Sequence, residues 1–131
     1  ASDVYKRQGI MPQSVRGKFK YKGKTNTEKN KLLKDSKLLE EAGVFAIVLE
    51  CIERKLSKEI TDSINIPTIG IGSSNFCDGQ IMVTDDLLGL TDTKIKFVKK
   101  YADLKGSVKN AVKKFKLDVK KGSYPSIKYS Y

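Results

Sequence analysis

The chain has 131 residues, of which 39% are hydrophobic and 31% charged, a composition that favours one folded domain and excludes an extended disordered polymer. No apolar run approaches the roughly 18 residues that a membrane-spanning helix needs. There is no histidine, and Cys51 and Cys77 lack the paired spacing of a zinc site. Both cysteines are predicted to be small buried hydrophobes in a reduced, cytoplasmic protein.

The net charge of +11, from 26 basic and 15 acidic residues, raises the question of a polyanionic partner. Arginine, which forms the bidentate contacts of base and phosphate recognition, occurs only at Arg7, Arg16 and Arg54. The lysine excess lies between residues 94 and 121, which is typical of a solvated helix face. Nucleic-acid binding is therefore not favoured, and a small basic α/β module that binds RNA or another polyanion is kept as the alternative function.

The N-terminal region divides into two segments. Residues 1–8 have no apolar period and are predicted to be a tail, either non-native or disordered, which leaves residues 9–131 as the folded domain. Basic and aromatic side chains alternate at 18–22, so a short exposed strand and a nucleic-acid surface are both open interpretations. A loop that lies over one end of the sheet is favoured for residues 9–24.

The first helix and the first strand follow one another closely. Thr25 and Glu28 have the spacing of a capping box, and the helix that follows is expected to end at Gly43. The next eight residues, 44–51, are apolar except for Glu50 and rich in β-branched side chains. This composition predicts a strand that is buried on both faces.

The remaining elements alternate in the same way. A second helix is predicted from about Glu53 to Ser63, and further strands are predicted at 67–72 and 80–83. The last third is predicted to be helical, with one segment over 95–101 and another starting near Ser107. The alternation of helices and strands predicts an α/β fold in which parallel strands are joined by crossover helices.

Glu50 is the residue that composition alone does not explain, because an acid within an apolar strand loses hydration. Strand alternation places it on one face with Val44, Ala46 and Val48. The larger side chains of the other face, Phe45, Ile47, Leu49 and Cys51, are expected to contact helices. Catalytic groups of parallel α/β proteins lie at the carboxyl ends of strands, where Glu50 is predicted to be. It is either a functional carboxylate that points into a pocket or an acid paired with a nearby lysine.

Two other groups of residues could bind a ligand. Gly70 and Gly72 would allow a ligand or another backbone to approach a strand end, with barrel packing as the equal alternative. Asp78, Asp85 and Asp86 offer oxygen ligands for a hard cation, but an ordinary turn and the start of a helix explain them more simply.

Six stretches taken in order are more specific than any single motif. They are MPQSV at 11–15, LLEEAG at 38–43, VLEC at 48–51, IPTIGIG at 66–72, CDGQI at 77–81 and FVKKYA at 97–102. Together they resemble the ketopantoate hydroxymethyltransferase family, from Gly9 to the C-terminus. The resemblance implies a (β/α)8 TIM barrel, which needs about 250 residues, so this chain is expected to be its C-terminal half and an incomplete fragment.

The resemblance also implies a reaction and its participants. The family transfers a hydroxymethyl group from 5,10-methylenetetrahydrofolate to 3-methyl-2-oxobutanoate, which forms 2-dehydropantoate for pantothenate and coenzyme A synthesis. Glu50 corresponds to the general base. The resemblance assigns no substrate-binding residue in this chain, and Gly70 and Gly72 are candidates only from their position at a strand end. The acids that bind Mg²⁺ belong to the N-terminal half, so no metal ligand is expected in this chain. A homodecamer is implied, and Ser73 and Ser74 stand where many members have alanine and glycine.

Overall fold

A computed structural model describes residues 22–131. Its sheet has three parallel strands in the order β1-β2-β3. The elements in chain order are α1 (Asn26–Glu41), β1 (Ile47–Glu50), α2 (Arg54–Ser63), β2 (Thr68–Ile71), β3 (Gly79–Gln80), α3 (Thr84–Leu87), α4 (Leu104–Lys120) and a 3-10 helix (Ile127–Tyr129). The predicted α/β class with parallel strands is confirmed.

The described residues form two compact units, one of residues 22–82 with 95–97 and one of residues 83–94 with 98–131. The sheet, α1 and α2 belong to the first unit, and α3 and α4 belong to the second. None of the helices in the described part of the chain is long and apolar enough to cross a bilayer.

The capping box of α1 is confirmed. The Thr25 hydroxyl accepts a hydrogen bond of 3.2 Å from the Glu28 amide. The Glu28 carboxylate accepts bonds of 3.2 Å from the amides of Gly23 and Lys24, so side chains satisfy three backbone donors at this helix start. At the other end Gly43 adopts a φ of +79°, and its amide bonds the Glu40 carbonyl at 2.9 Å.

One face of β1 forms the core of the first unit. Ile47 and Leu49 are each 2% exposed, and they lie in one cluster with Leu56 and Ile60 of α2. The cluster also contains Leu32, Ile52, Ile64 and Cys77. The prediction that the larger side chains of this strand contact helices is therefore confirmed for Ile47 and Leu49 and wrong for Phe45, which is 74% exposed.

The first strand is shorter and less buried than the sequence predicts. It begins at Ile47 rather than at residue 44, because its pairing starts where the Ile47 amide bonds the Pro67 carbonyl at 2.9 Å. Phe45, which precedes this pairing, is 74% exposed. Val48 and Glu50 are only half-buried, so within the described residues β1 is buried on one face and not on both.

Two further predictions need correction. The third strand covers Gly79–Gln80 instead of 80–83, because only these residues pair with β2 before the chain leads into α3. The helix predicted over 95–101 is a non-helical turn. The Phe97 ring there lies against Gly72, and this tertiary contact overrides a helical spacing of apolar residues. The last predicted helix is confirmed as α4, although it begins at Leu104, where the Asp103 side chain caps it through the Gly106 amide at 2.9 Å.

We expect Gly23→Ala to destabilise the protein more than Gly43→Ala. Both glycines have positive φ, which costs an alanine about 1–2 kcal/mol. A Cβ at Gly23 would also overlap Leu56, which is fully buried, whereas a Cβ at Gly43 meets nothing within 4 Å. Urea denaturation should show an additional loss of about 1–3 kcal/mol for Gly23→Ala. Equal losses for the two variants would contradict the packing shown around Gly23.

Candidate active site

Glu50 is the last residue of β1, at the carboxyl end of the strand, where it pairs with Ile71. Its side chain lies on the face opposite the core and is half-buried. Among residues 22–131 the Glu50 carboxylate forms no salt bridge, so the lysine partner considered as an alternative is not seen in that part of the chain. A half-buried carboxylate in this position is accessible to a ligand.

The residue after Glu50 turns the chain sharply. Cys51 has a φ of +52°, which is rare for a residue other than glycine. Its amide donates to the Ile71 carbonyl at 2.9 Å, and its carbonyl accepts from the Lys22 amide at 2.8 Å. Burial, and then the nearby charge of Glu50, raise the pKa of the Cys51 thiol. The thiol is therefore protonated and unreactive at neutral pH.

Ser73 contributes a contact that sequence reasoning missed. Its hydroxyl donates to the Leu49 carbonyl at 2.6 Å and accepts from the Ile52 amide at 3.0 Å. One side chain therefore joins the backbone on both sides of Glu50 and Cys51. The sequence offered no direct signal for this contact, because Leu49 and Ser73 are 24 positions apart.

The segment before α1 lies at the same end of β1. The Glu53 amide bonds the Lys22 carbonyl at 2.8 Å, next to the bond between Lys22 and Cys51. These two bonds make an isolated parallel β-bridge between Lys22 and Ile52, so Lys22 pairs beside the end of β1 in the manner of a strand. Most of the loop predicted over 9–24, and the predicted tail at 1–8, lie outside the described residues and stay predictions.

Side chains fill the space beside both candidate glycines. A Cβ at Gly70 would lie 2.9 Å from the Gln80 amide group and 3.2 Å from the Cys77 sulfur. A Cβ at Gly72 would overlap the Phe97 ring. These contacts support the packing alternative, and a role for Gly70 and Gly72 in binding substrate stays a prediction.

Two of the three aspartates considered as cation ligands accept hydrogen bonds from threonines. The Asp78 carboxylate accepts bonds from the Thr68 amide at 2.8 Å and the Thr68 hydroxyl at 3.0 Å. Asp86 is buried in the first turn of α3, beside Asp85, and accepts a bond from the Thr91 hydroxyl. Within residues 22–131 no group of three or more His, Cys, Asp or Glu side chains could hold a metal. The described residues therefore do not fit a magnesium site.

Comparison with known proteins identifies the family. A sequence model of ketopantoate hydroxymethyltransferase matches residues 3–127, nearly the whole chain. The chain belongs to this family. The predicted resemblance is thereby confirmed, and the parallel α/β arrangement of the described residues is the one expected for part of a (β/α)8 barrel.

Curated relatives support the same assignment. A 3-methyl-2-oxobutanoate hydroxymethyltransferase of Pelagibacter ubique is 53% identical over 123 residues, which cover 94% of this chain and 48% of the relative. Proteins of the same name from Clostridium botulinum strain Loch Maree and Caulobacter vibrioides strain NA1000 are 49% and 46% identical, each over 94% of this chain and 46% of the relative. The chain spans about half the length of these ketopantoate hydroxymethyltransferases.

We expect this member of the ketopantoate hydroxymethyltransferase family to lose stability in acid through Asp78. The hydrogen bond from the Thr68 amide, and then that from its hydroxyl, hold the pKa of Asp78 below its ordinary value of 3.8. A depressed pKa in the folded state contributes stability above the ordinary pKa and loses it as the pH falls through 3.8 toward the folded-state pKa. Melting temperatures measured between pH 7 and pH 3 should fall less steeply for Asp78→Asn than for the wild type. Parallel curves would show that Asp78 makes no such contribution.

Proposed function

We propose that this chain supplies the catalytic base of a 3-methyl-2-oxobutanoate hydroxymethyltransferase and that Glu50 is that base. The observation that carries the proposal is a half-buried carboxylate at the carboxyl end of β1, without an ion-pair partner in the described residues, in a chain that belongs to this family. Carboxyl ends of parallel strands are the usual position of catalytic groups in barrels of this class.

The proposed role of Glu50 is proton transfer. Its carboxylate removes the proton at C3 of 3-methyl-2-oxobutanoate, and the electron pair of the C–H bond moves into the enolate formed with the adjacent ketone. The C3 carbon of the enolate then forms a bond to the one-carbon unit of 5,10-methylenetetrahydrofolate. The two carbon–nitrogen bonds of the donor carbon are replaced by this carbon–carbon bond and by a bond to a hydroxyl oxygen that comes from water. Tetrahydrofolate leaves with both nitrogens protonated, one by the proton that Glu50 removed from C3 and the other by the second proton of that water. No oxidant or reductant is needed.

The described residues would perform only part of this reaction. Since they do not fit a magnesium site, we assign no step of the proposal to the metal. Groups that bind Mg²⁺ and the keto acid are proposed to come from the half of the enzyme that lies outside the match to this chain. On this proposal the chain alone is inactive and becomes part of an active enzyme when combined with that half.

Replacing the carboxylate of Glu50 by an amide should abolish proton removal. A suitable protein is a hybrid in which this chain replaces the 123 matched residues of the Pelagibacter ubique relative. In D₂O, the wild-type hybrid should exchange the C3 proton of 3-methyl-2-oxobutanoate, detected by NMR. Glu50→Gln should slow this exchange by about 10²–10⁴-fold while the hybrid stays folded.

Glu59→Gln provides the matched control, because Glu59 is an exposed acid on α2, away from the strand end. It should exchange at the wild-type rate. A wild-type rate of C3 proton exchange in Glu50→Gln would contradict the assignment of Glu50 as the base.

We further propose that the apolar face of α4 packs between copies of the enzyme. Val108, Val112 and Phe115 follow helical spacing on this face and are 56%, 60% and 55% exposed. Lysines occupy much of the rest of the helix. Contiguous apolar side chains of this kind on a charged helix are typical of an interface between proteins. The same face supports the homo-oligomer that the family resemblance implies.

A charge on the apolar face of α4 should weaken this association. Val112→Asp in the hybrid should lower the molar mass measured by light scattering, because an unpaired carboxylate would be buried in the interface. Lys113 lies about 100° around the helix from Val112, outside the row of Val108, Val112 and Phe115, so Lys113→Glu should leave the mass unchanged. An unchanged mass for Val112→Asp would exclude this face as the interface.

A further inference from the structure

Ser73 is the one side chain in the described residues that hydrogen-bonds the backbone both before and after Glu50. Its hydroxyl donates to the Leu49 carbonyl at 2.6 Å and accepts from the Ile52 amide at 3.0 Å. A hydroxyl can donate one hydrogen bond and accept others, so both contacts form at once. The loop after β2 is thereby joined to the end of β1.

The backbone that Ser73 spans is under strain. Cys51, with a φ of +52°, holds a left-handed backbone conformation that is unfavourable for a residue other than glycine. Such a conformation persists only where neighbouring contacts hold it. Here the holding contacts are the two bonds of Ser73, the bond from the Cys51 amide to Ile71 and the bond from the Lys22 amide to Cys51. Without them the strand end could relax toward an ordinary φ and turn Glu50 with it.

The direction of the Glu50 side chain depends on this backbone. Within residues 22–131 the carboxylate has no ion-pair partner that would fix it directly. Its Cα and Cβ are placed by pairing with Ile71 on one side and by the turn at Cys51 on the other. A displacement of about 1 Å at a reacting group can cost about 10²-fold in rate, so rigidity at this turn matters for proton transfer.

We infer that Ser73 is a positioning residue for Glu50, holding the strand end in the geometry in which the carboxylate meets the C3 proton of the substrate. This inference rests on the proposed function of Glu50. On this inference Ser73 does not contact the substrate and acts only through the backbone of residues 49–52.

The test measures C3 exchange of 3-methyl-2-oxobutanoate in the hybrid enzyme. Ser73→Ala should lower the exchange rate at saturating keto acid about tenfold and leave the KM for the keto acid unchanged, because binding groups are not disturbed. Ser73→Thr keeps the hydroxyl and should retain most of the rate. In the Glu50→Gln background, Ser73→Ala should cause no further loss, because a residue that acts through Glu50 has nothing left to position.

Ser63→Ala is the matched control. The Ser63 hydroxyl also donates to a backbone carbonyl, that of Ile60 at 3.0 Å, but it lies at the end of α2, away from Glu50. It should leave the exchange rate unchanged. Equal rate losses in Ser63→Ala and Ser73→Ala, or a wild-type rate in Ser73→Ala, would overturn the inference. Those results leave the role of Glu50 intact, whereas wild-type exchange in Glu50→Gln overturns the proposed function itself.

Discussion

The pairing of β1 with β2 is the constraint on which the rest of the first unit depends. Four residues of each strand are in register, from Ile47 opposite Thr68 to Glu50 opposite Ile71. A shift by one residue would turn Ile47 and Leu49 away from the core and bury Glu50 in it, because side chains alternate between faces. The cost of burying that charge among apolar side chains keeps the register unique.

Polar side chains secure the two ends of this pairing in different ways. At the start of β2, Asp78 accepts hydrogen bonds from the Thr68 amide and hydroxyl, and Thr68 is fully buried. At the carboxyl end of β1, Ser73 joins the backbone on both sides of a strained Cys51. In barrels of this class the first end contributes stability and the second carries chemistry, and the placement of Glu50 agrees with that division.

Local sequence patterns predicted a segment correctly where the residues that determine it are close together in the chain, and failed where they are far apart. The capping box of Thr25 and Glu28 and the apolar spacing of α2 were predictable, because both depend on residues three or four positions apart. The helix predicted over 95–101 was wrong, because the place of Phe97 is set by Gly72, 25 residues away in the chain. The third strand was predicted too long because its bounds depend on pairing with β2, a contact between distant segments that involves only Gly79 and Gln80 of β3.

The sequence by itself determined the α/β class, the family, the face of β1 on which Glu50 lies and its position at the strand end, because these follow from side-chain alternation and from ordered motifs. The role of Glu50 as the base is a proposal built on them. Only the tertiary structure decided where β1 begins, what covers Gly70 and Gly72, and that Ser73 joins the backbone around Glu50. Each of these depends on contacts between residues that are distant in the chain, and no local pattern of residues predicts such contacts.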